Sequence, residues 1–156
     1  MIDMLRDEFS AALKGAMKGK DKRATSTIRL IMAAVKDRDI AARGNGNPDG
    51  IADDEVMRVL QTMIKQRQES IVLYEKGDRQ ELADQESDEI GIIRRFLPEQ
   101  MTDAEVADAV AALVAESGAA TLKDMGPTMA ALRERFAGRM DFGKASAALK
   151  QHLGGK

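Results

Sequence analysis

Apolar side chains recur every three or four residues along almost the whole chain, which is the spacing of one face of an α-helix. No stretch alternates between apolar and polar residues for long enough to form a convincing β-strand. The sequence therefore predicts an all-α protein, in which short segments rich in glycine and proline separate the helices.

Turn-forming residues divide the first part of the chain into four predicted helices. Glycines end the first helix at Gly19 and the third at Gly77, and Pro98 follows the fourth. The second helix runs to about Arg43, where the glycine-rich segment 44–50 favours a loop. The apolar faces of the four helices are, in order, Ile2, Leu5, Phe9, Leu13 and Ala16; Ile28, Ile31, Met32 and Val35; Val56, Leu60, Met63, Ile64, Ile71 and Tyr74; and Leu82, Ile90, Ile93 and Leu97.

Acidic side chains crowd the fourth predicted helix, residues 79–96, and raise the question of a metal site. They are spread over more than half of the helix circumference, so we expect a solvated face and not a convergent set of ligands for Mg²⁺ or Ca²⁺. Glu86 differs because it falls on the inward face, where a buried carboxylate needs a basic partner such as Arg67. The acids considered for this face are Asp84, Glu86, Asp88 and Glu89.

The composition changes beyond Pro98, where charges thin out, alanine becomes more frequent and the predicted helices become shorter. Such a change indicates a boundary between domains, so we expect an N-terminal helical bundle over 1–97 and a small three-helix bundle over 98–156. The apolar faces of the last three helices are Val106, Val110, Leu113 and Val114; Met125, Met129, Leu132 and Phe136; and Ala145, Ala148, Leu149 and Leu153.

Polar side chains mark the predicted starts of the third, the fifth and the last helix. Thr102 and Glu105 have the spacing of a capping box, in which each side chain accepts a hydrogen bond from the other residue's backbone N–H. Asp53 and Asp141 are predicted to be the N-caps of the third and the last helix.

Residues that carry catalysis are scarce in this sequence. It contains no cysteine and a single histidine, His152, which we expect to be exposed at a helix end. A phosphate-binding glycine loop and the Gly-Gly-Ser-Ser-Gly signature of amidases are both missing. We therefore expect no catalytic residue, no metal and no cofactor. The apolar runs are too short to span a membrane and no signal peptide is recognisable, so we expect a cytoplasmic protein.

Basic residues are concentrated in two segments, although the formal net charge is only −2. Between Lys14 and Arg43 nine bases stand against three acids, and from Thr121 to the end seven bases stand against three acids. Basic surfaces attract phosphate backbones without reading sequence. We favour the second segment because the first is expected to face the acidic third and fourth helices, where pairing cancels charge. The candidate nucleic-acid-binding residues are Lys123, Arg139, Lys144 and Lys150.

Short motifs along the whole chain resemble the GatB/YqeY family. In the first half they are Lys20-Asp21-Lys22, Ile28-Arg29-Leu30-Ile31, Ile64-Lys65-Gln66-Arg67, Glu69-Ser70, Tyr74, Gly77, Arg79, Leu82 and Glu86. In the second half they are Phe96-Leu97-Pro98-Glu99-Gln100, Lys123-Asp124-Met125-Gly126 and Gly138-Arg139-Met140-Asp141. Pro127 and Met140 depart from residues that are common in the family at those positions.

The resemblance implies a helical N-terminal bundle and a C-terminal domain similar to the tail of the GatB subunit of tRNA-dependent amidotransferases, which engages tRNA. It also implies an association with carbon–nitrogen ligase systems that use glutamine as the amide donor. The expected function is a monomeric, non-catalytic adaptor that binds tRNA or a tRNA-modifying or aminoacylating enzyme. The alternative is a protein-interaction module with no RNA role.

Overall fold

The computed structural model describes residues 4–154, and these residues form an all-α fold without a β-strand, which confirms the predicted fold class. A short 3-10 helix, Leu122–Asp124, precedes the sixth α-helix. The predicted positions of Ile2 in the first helix and of Lys156 in the second basic segment lie outside the described residues. The α-helices are α1 (Met4–Lys18), α2 (Lys22–Gly44), α3 (Asp53–Lys76), α4 (Gln80–Arg94), α5 (Asp103–Ser117), α6 (Met125–Arg135) and α7 (Phe142–Gly154).

Contacts within the chain define two compact units, one ending at Leu97 and the other beginning at Pro98. We call them the first unit, which contains α1 to α4, and the second unit, which contains α5 to α7. Each unit has its own cluster of buried apolar side chains. The core of each unit therefore forms from residues of that unit alone.

The first unit is built around β-branched, leucine and phenylalanine side chains. Ile31 of α2, Leu60 of α3 and Ile93 of α4 are fully buried in one cluster. Phe9 of α1 meets Phe96 edge to face, with 4.9 Å between ring centroids. Such an arrangement places the positive edge of one ring on the negative face of the other. It ties α1 to the chain just beyond α4.

The turns that follow α1 and α3 share one backbone arrangement. After α1, Asp21 N donates to Ala16 O at 2.9 Å, and Lys20 N donates to Met17 O at 3.2 Å. This pair of bonds is a Schellman motif, which satisfies carbonyl groups left free at a helix end. The motif requires one residue in the left-handed region, and here that residue is Lys20, at φ 55°, and not the preceding Gly19.

The turn after α3 repeats this arrangement. Arg79 N donates to Tyr74 O at 2.8 Å and Asp78 N donates to Glu75 O at 3.3 Å. Asp78 adopts the left-handed conformation, at φ 57°. The glycine predicted to end this helix, Gly77, is its C-cap, at φ −92°.

A buried polar network holds the loop between α2 and α3 against α1. Asp39 is buried, and its carboxylate accepts hydrogen bonds from Arg6 Nη2 at 2.6 Å and from Ile51 N at 2.9 Å. Arg6 Nη2 also donates to Ile51 O at 2.9 Å. Gly50 lies at φ +80°, and a Cβ there would collide with the Asp39 carboxylate. Glycine is therefore required at this position both by backbone conformation and by space.

A second charged cluster lies between α3 and α4. Arg67 Nε is 3.8 Å from the carboxylates of both Glu86 and Glu89, and the three side chains are between 12% and 20% exposed. The predicted pairing of Glu86 with Arg67 is confirmed. The expectation that Glu89 lies on a solvated face is wrong, because this residue is three positions from Glu86 and turns toward the same guanidinium. Burial raises the pKa of the Glu89 carboxyl and the nearby Glu86 adds to the rise, while Arg67 opposes it.

The predicted N-cap role of Asp53 is wrong. The structure places Asp53 inside the first turn of α3 and Ala52 at the N-cap, where no side chain caps the helix. Asp53 Oδ2 instead accepts a hydrogen bond from Leu5 N of α1 at 3.4 Å. The carboxylate thus serves one of the free N–H groups at the start of another helix.

The second unit has a smaller core of leucine, valine, methionine and alanine. Val110 of α5, Leu132 of α6 and Leu149 of α7 are fully buried, as is Met140, which lies between α6 and α7. Pro127 falls in the first turn of α6, where its missing N–H costs no helical hydrogen bond.

Caps fix the ends of the helices in the second unit. The capping box of Thr102 and Glu105 is present at the start of α5, as predicted. Asp141 Oδ1 accepts from Gly143 N at 2.9 Å and from Lys144 N at 3.1 Å, so Asp141 caps α7. Gly118 ends α5 in the left-handed conformation, at φ 73°.

Candidate nucleic-acid interface

Lys123 and Lys150 are two candidate residues whose charges no ion pair compensates within residues 4–154. Lys123 lies in the 3-10 helix and Lys150 on the outer face of α7, and both side chains are exposed. Neither forms an ion pair within residues 4–154. The carboxylate of Asp124 accepts from Ala120 N and Thr121 N, which fixes the turn that carries Lys123. These two cations are therefore available to an anionic partner.

Arg139 is exposed in the short connection between α6 and α7. Its Nε donates to Glu99 O at 3.4 Å, and its own carbonyl accepts from Met101 N at 2.8 Å. The preceding Gly138 takes the left-handed conformation, at φ 76°, and turns the chain there. Arg139 also contributes to the lowered pKa of Glu105, whose main cause is the hydrogen bond from the Thr102 backbone. Arg139 therefore lies in the field of the acidic first turn of α5.

Lys144 is partly neutralised by the same turn of α5. Its Nζ is 2.7 Å from Asp103 Oδ1, and this hydrogen bond raises the pKa of the Lys144 amine. The side chains are 56% and 80% exposed, so water and salt screen the pair strongly. A phosphate group has to compete with Asp103 for this lysine.

The four candidate residues do not form one compact patch. A Cβ placed on Gly154 at the end of α7 would meet Leu122, so the turn that carries Lys123 lies at that end. Lys144 lies at the opposite end of α7, about 15 Å away along the helix axis. Lys150 lies between them but is rotated by about 120° around the helix from Lys144. The candidate surface is therefore elongated, and its cations lie on different sides of α7.

Two arginines of α6 make the contacts that the sequence did not reveal. Arg135 forms a two-pronged ion pair with Glu116 of α5, at 2.9 and 2.8 Å, and lowers the pKa of that carboxyl. Arg133 lies over the ring of Phe142, with 6.0 Å from its guanidinium carbon to the ring centroid. Neither contact follows from helical spacing, because each joins two different elements. Arg133 adds an exposed cation beside an aromatic ring to the candidate surface.

The basic segment of the first unit is more open than its sequence led us to expect. We expected pairing with the acidic α3 and α4 to cancel part of its outward field, but only Arg23 forms such a pair among the described residues, with Asp88 of α4 at 3.2 Å. Several other bases of the segment are exposed and form no ion pair within residues 4–154. They include Lys14, Lys18, Lys20, Lys22, Arg29, Lys36 and Arg38. Charge cancellation by ion pairs therefore does not distinguish the basic segment of the first unit from that of the second.

The described part of the chain offers no cluster of side chains suited to a metal ion. No three histidine, aspartate or glutamate side chains in residues 4–154 converge in a way that would hold a metal ion. His152 is exposed in the last turn of α7, as expected. Across the same residues, none of the helices combines the length and the apolar character needed to cross a membrane.

Comparison with known proteins finds similar proteins in yeasts. It is 30% identical over 102 residues to an uncharacterized protein, C22F3.15, of Schizosaccharomyces pombe, covering 65% of this chain and 79% of the relative. It is also 30% identical over 118 residues to the mitochondrial protein named "altered inheritance of mitochondria protein 41" of Lachancea thermotolerans, covering 72% of this chain and 61% of the relative. The protein of the same name from Kluyveromyces lactis is 30% identical over 84 residues, 54% of this chain and 43% of the relative.

A sequence model of the family described as Yqey-like protein matches residues 6–153. The match covers nearly every described residue of both units, including the turns after α1 and α3 and the capped helices of the second unit. The resemblance to the GatB/YqeY family is thereby confirmed, and the chain belongs to the YqeY-like family.

Proposed function

We propose that this YqeY-like chain is a non-catalytic adaptor that binds tRNA, or an enzyme that acts on tRNA, through its second unit. The observation that carries the proposal is the separation of charge within that unit. Residues 98–120 contain five acids and no base, whereas residues 121–156 contain seven bases and three acids. Exposed Lys123 and Lys150, which form no ion pair within residues 4–154, supply the charge that a phosphate backbone attracts.

The proposed link to glutamine-dependent amidotransferases, and so to carbon–nitrogen ligase chemistry, rests on the resemblance to the GatB tail. The chain itself has no cysteine nucleophile and no amidase signature, so its part in such a system is to bind and not to release ammonia. We further propose that it acts as a monomer in the cytoplasm. Because two relatives are named as mitochondrial proteins, subcellular fractionation is the direct test of that location.

Titration of tRNA into the protein at several salt concentrations tests the proposal. Replacing Lys123 and Arg139 together by alanine removes two exposed cations without touching the core. We expect tRNA binding to weaken uniformly across sequences and the salt slope to fall by about one to two units. The matched control replaces Lys18, Lys20 and Lys22 of the first unit. If that control loses affinity while the first variant does not, the site lies in the first unit.

Breaking the ion pair at the start of α5 should change the affinity for tRNA in the opposite direction. Asp103→Asn removes the carboxylate that holds Lys144, so we expect tighter binding of tRNA. Asp108→Asn, an exposed acid of α5 with no ion pair in residues 4–154, is the control for the change in net charge. Equal effects of the two variants would remove Lys144 from the site. No tRNA binding even at low salt would favour the protein-interaction module.

A further inference from the structure

A groove in the first unit is lined by residues of α1 and α2. Its volume is about 330 Å³, which is within the range of ligand-sized clefts. Buried Phe9 and Val35 and half-buried Met32 provide apolar lining, and the exposed Ser10 and Ala33 also line it. Small residues at the mouth allow the backbone of a binding partner to approach closely.

The length of the groove along α2 corresponds to about two turns of a helix. The α2 residues that line it run from Met32 to Asp39, seven positions, or about 10 Å along the helix axis. Side chains at positions i and i+7 of a docked helix are separated by the same distance, with i+3 or i+4 between them. One end of the groove is closed by the ion pair of Arg6 with Asp39, which is already satisfied by Ile51. The floor is therefore suited to apolar anchors.

A row of cations follows the groove along α2. Arg29, Lys36 and Arg43 are spaced by seven residues, which places them on one face of α2 at intervals of about 10 Å. Lys36 lines the groove itself, and Arg29 Nη2 reaches the sulfur of Met17 on α1 at 3.9 Å. All three cations are exposed, and none forms an ion pair within residues 4–154.

We propose that the groove between α1 and α2 is a docking site for an acidic amphipathic helix of a partner protein. The apolar face of that helix fills the space above Phe9, Met32 and Val35, and its acidic side chains meet the row of cations on α2. A polyanion such as RNA would leave the apolar floor uncovered, because no exposed aromatic ring lines the groove for base stacking. The site lies in the first unit and does not depend on RNA binding by the second.

The test is a titration of the full chain with an alanine-based helical peptide of about 20 residues. Its leucines are spaced three and four residues apart, and glutamates seven residues apart flank them. We expect saturable binding by fluorescence anisotropy and amide chemical-shift changes confined to the groove residues of α1 and α2. The same peptide with lysine in place of glutamate should bind much more weakly, because it faces the cations of α2.

Charge reversal at two positions of α2 tests whether peptide binding depends on the groove or on the charge of the whole helix. Lys36→Glu should weaken binding of the acidic peptide by about fivefold to tenfold, since a favourable contact becomes a repulsive one. Arg38→Glu is the matched control, because Arg38 is exposed on the same helix but does not line the groove, and it should change affinity by less than about twofold. Equal losses in both variants, or no shift of groove resonances, would overturn the proposal. So would a Lys36→Glu variant that loses affinity for tRNA and not for the peptide.

Discussion

The two units of this protein differ in the polar and charged side chains that they bury. The first unit contains a buried carboxylate held by Arg6 and a half-buried cluster of one guanidinium and two carboxylates. In the second unit, as far as the described residues extend, the only buried polar side chain is Thr128, and the ion pairs are exposed. The first unit therefore depends on the exact placement of charges, whereas the second depends on the amount of apolar surface that it buries.

The largest effect is expected in the second unit, where Leu132→Ala removes a fully buried side chain from a small core. Substitutions of this kind cost about 2–5 kcal/mol, which is much of the stability that a bundle of this size has. Thermal melting followed by circular dichroism should show loss of the second unit while the first still unfolds cooperatively. Glu134→Ala, on the exposed face of the same helix, is the control.

The contrast between the two units also requires that each unit folds independently of the other. We expect the isolated segment 98–156 to be helical, because its core forms from its own residues. An unfolded segment, or a Leu132→Ala variant in which the entire chain melts in one shifted transition, would contradict the independence of the two units.

A smaller but still large loss is expected in the first unit from Gly50→Ala. The new methyl group collides with the Asp39 carboxylate and displaces it from Arg6 and from Ile51 N. Disturbing a buried pair and forcing alanine to φ > 0 should lower the free energy of unfolding by about 3 kcal/mol. Gly46→Ala is a matched control, at φ +92° with open space around it, and should cost about 1 kcal/mol. Similar losses in chemical denaturation would show that conformation, and not the carboxylate, decides the effect.

The smallest effect, of opposite sign, is expected from Glu89→Gln. Burial raises the pKa of Glu89 above its usual 4.5 in the folded state, so the folded protein binds more protons than the unfolded chain between the two values. The stabilisation by protonation is complete below the unfolded pKa and is lost as the pH rises through the folded pKa. At pH 7 the neutral amide should therefore raise the free energy of unfolding, by less than about 1 kcal/mol after screening.

Denaturant unfolding between pH 4 and pH 7 checks this sign. The wild-type protein should gain stability on acidification through the folded pKa of Glu89, and the variant should lack that gain. Asp84→Asn, which neutralises an exposed acid of the same helix, is the control for the change in net charge. A variant less stable than wild type at pH 7 would show that attraction to Arg67 outweighs burial.

Features that depend on local sequence were the ones that could be predicted. Seven helices, the capping box of Thr102 and the cap at Asp141 follow from patterns within a few residues, and the structure contains all of them. The pairing of Glu86 with Arg67 was also predictable, because a carboxylate on an inward face needs a cation. Family membership followed from motifs spread over the whole chain.

Features that join distant residues could not be predicted. Asp53 has the side chain of an N-cap, yet its partner is Leu5, which is 48 positions away. Asp39 carries no local sign that Arg6 and the loop before α3 will enclose it. At the candidate interface Lys123 and Lys150 are exposed, as charged side chains usually are. The contact of Lys144 with Asp103 could not be predicted, because it depends on how α7 packs beside α5.

The Schellman turns after α1 and α3 have a consequence for how this sequence can change in evolution. Two backbone hydrogen bonds close each turn, and a lysine and an aspartate occupy the left-handed positions, so glycine is not required there. Asp21, at the end of the first turn, is constrained further because its side chain accepts from Ala24 N at 3.0 Å and caps α2. The length of each turn is constrained strongly, because both hydrogen bonds join residues at fixed separations along the chain and one inserted residue would break them. We therefore expect functional variants of this protein to vary at Lys20 and Asp78 but to conserve Asp21 and the residue count of both turns.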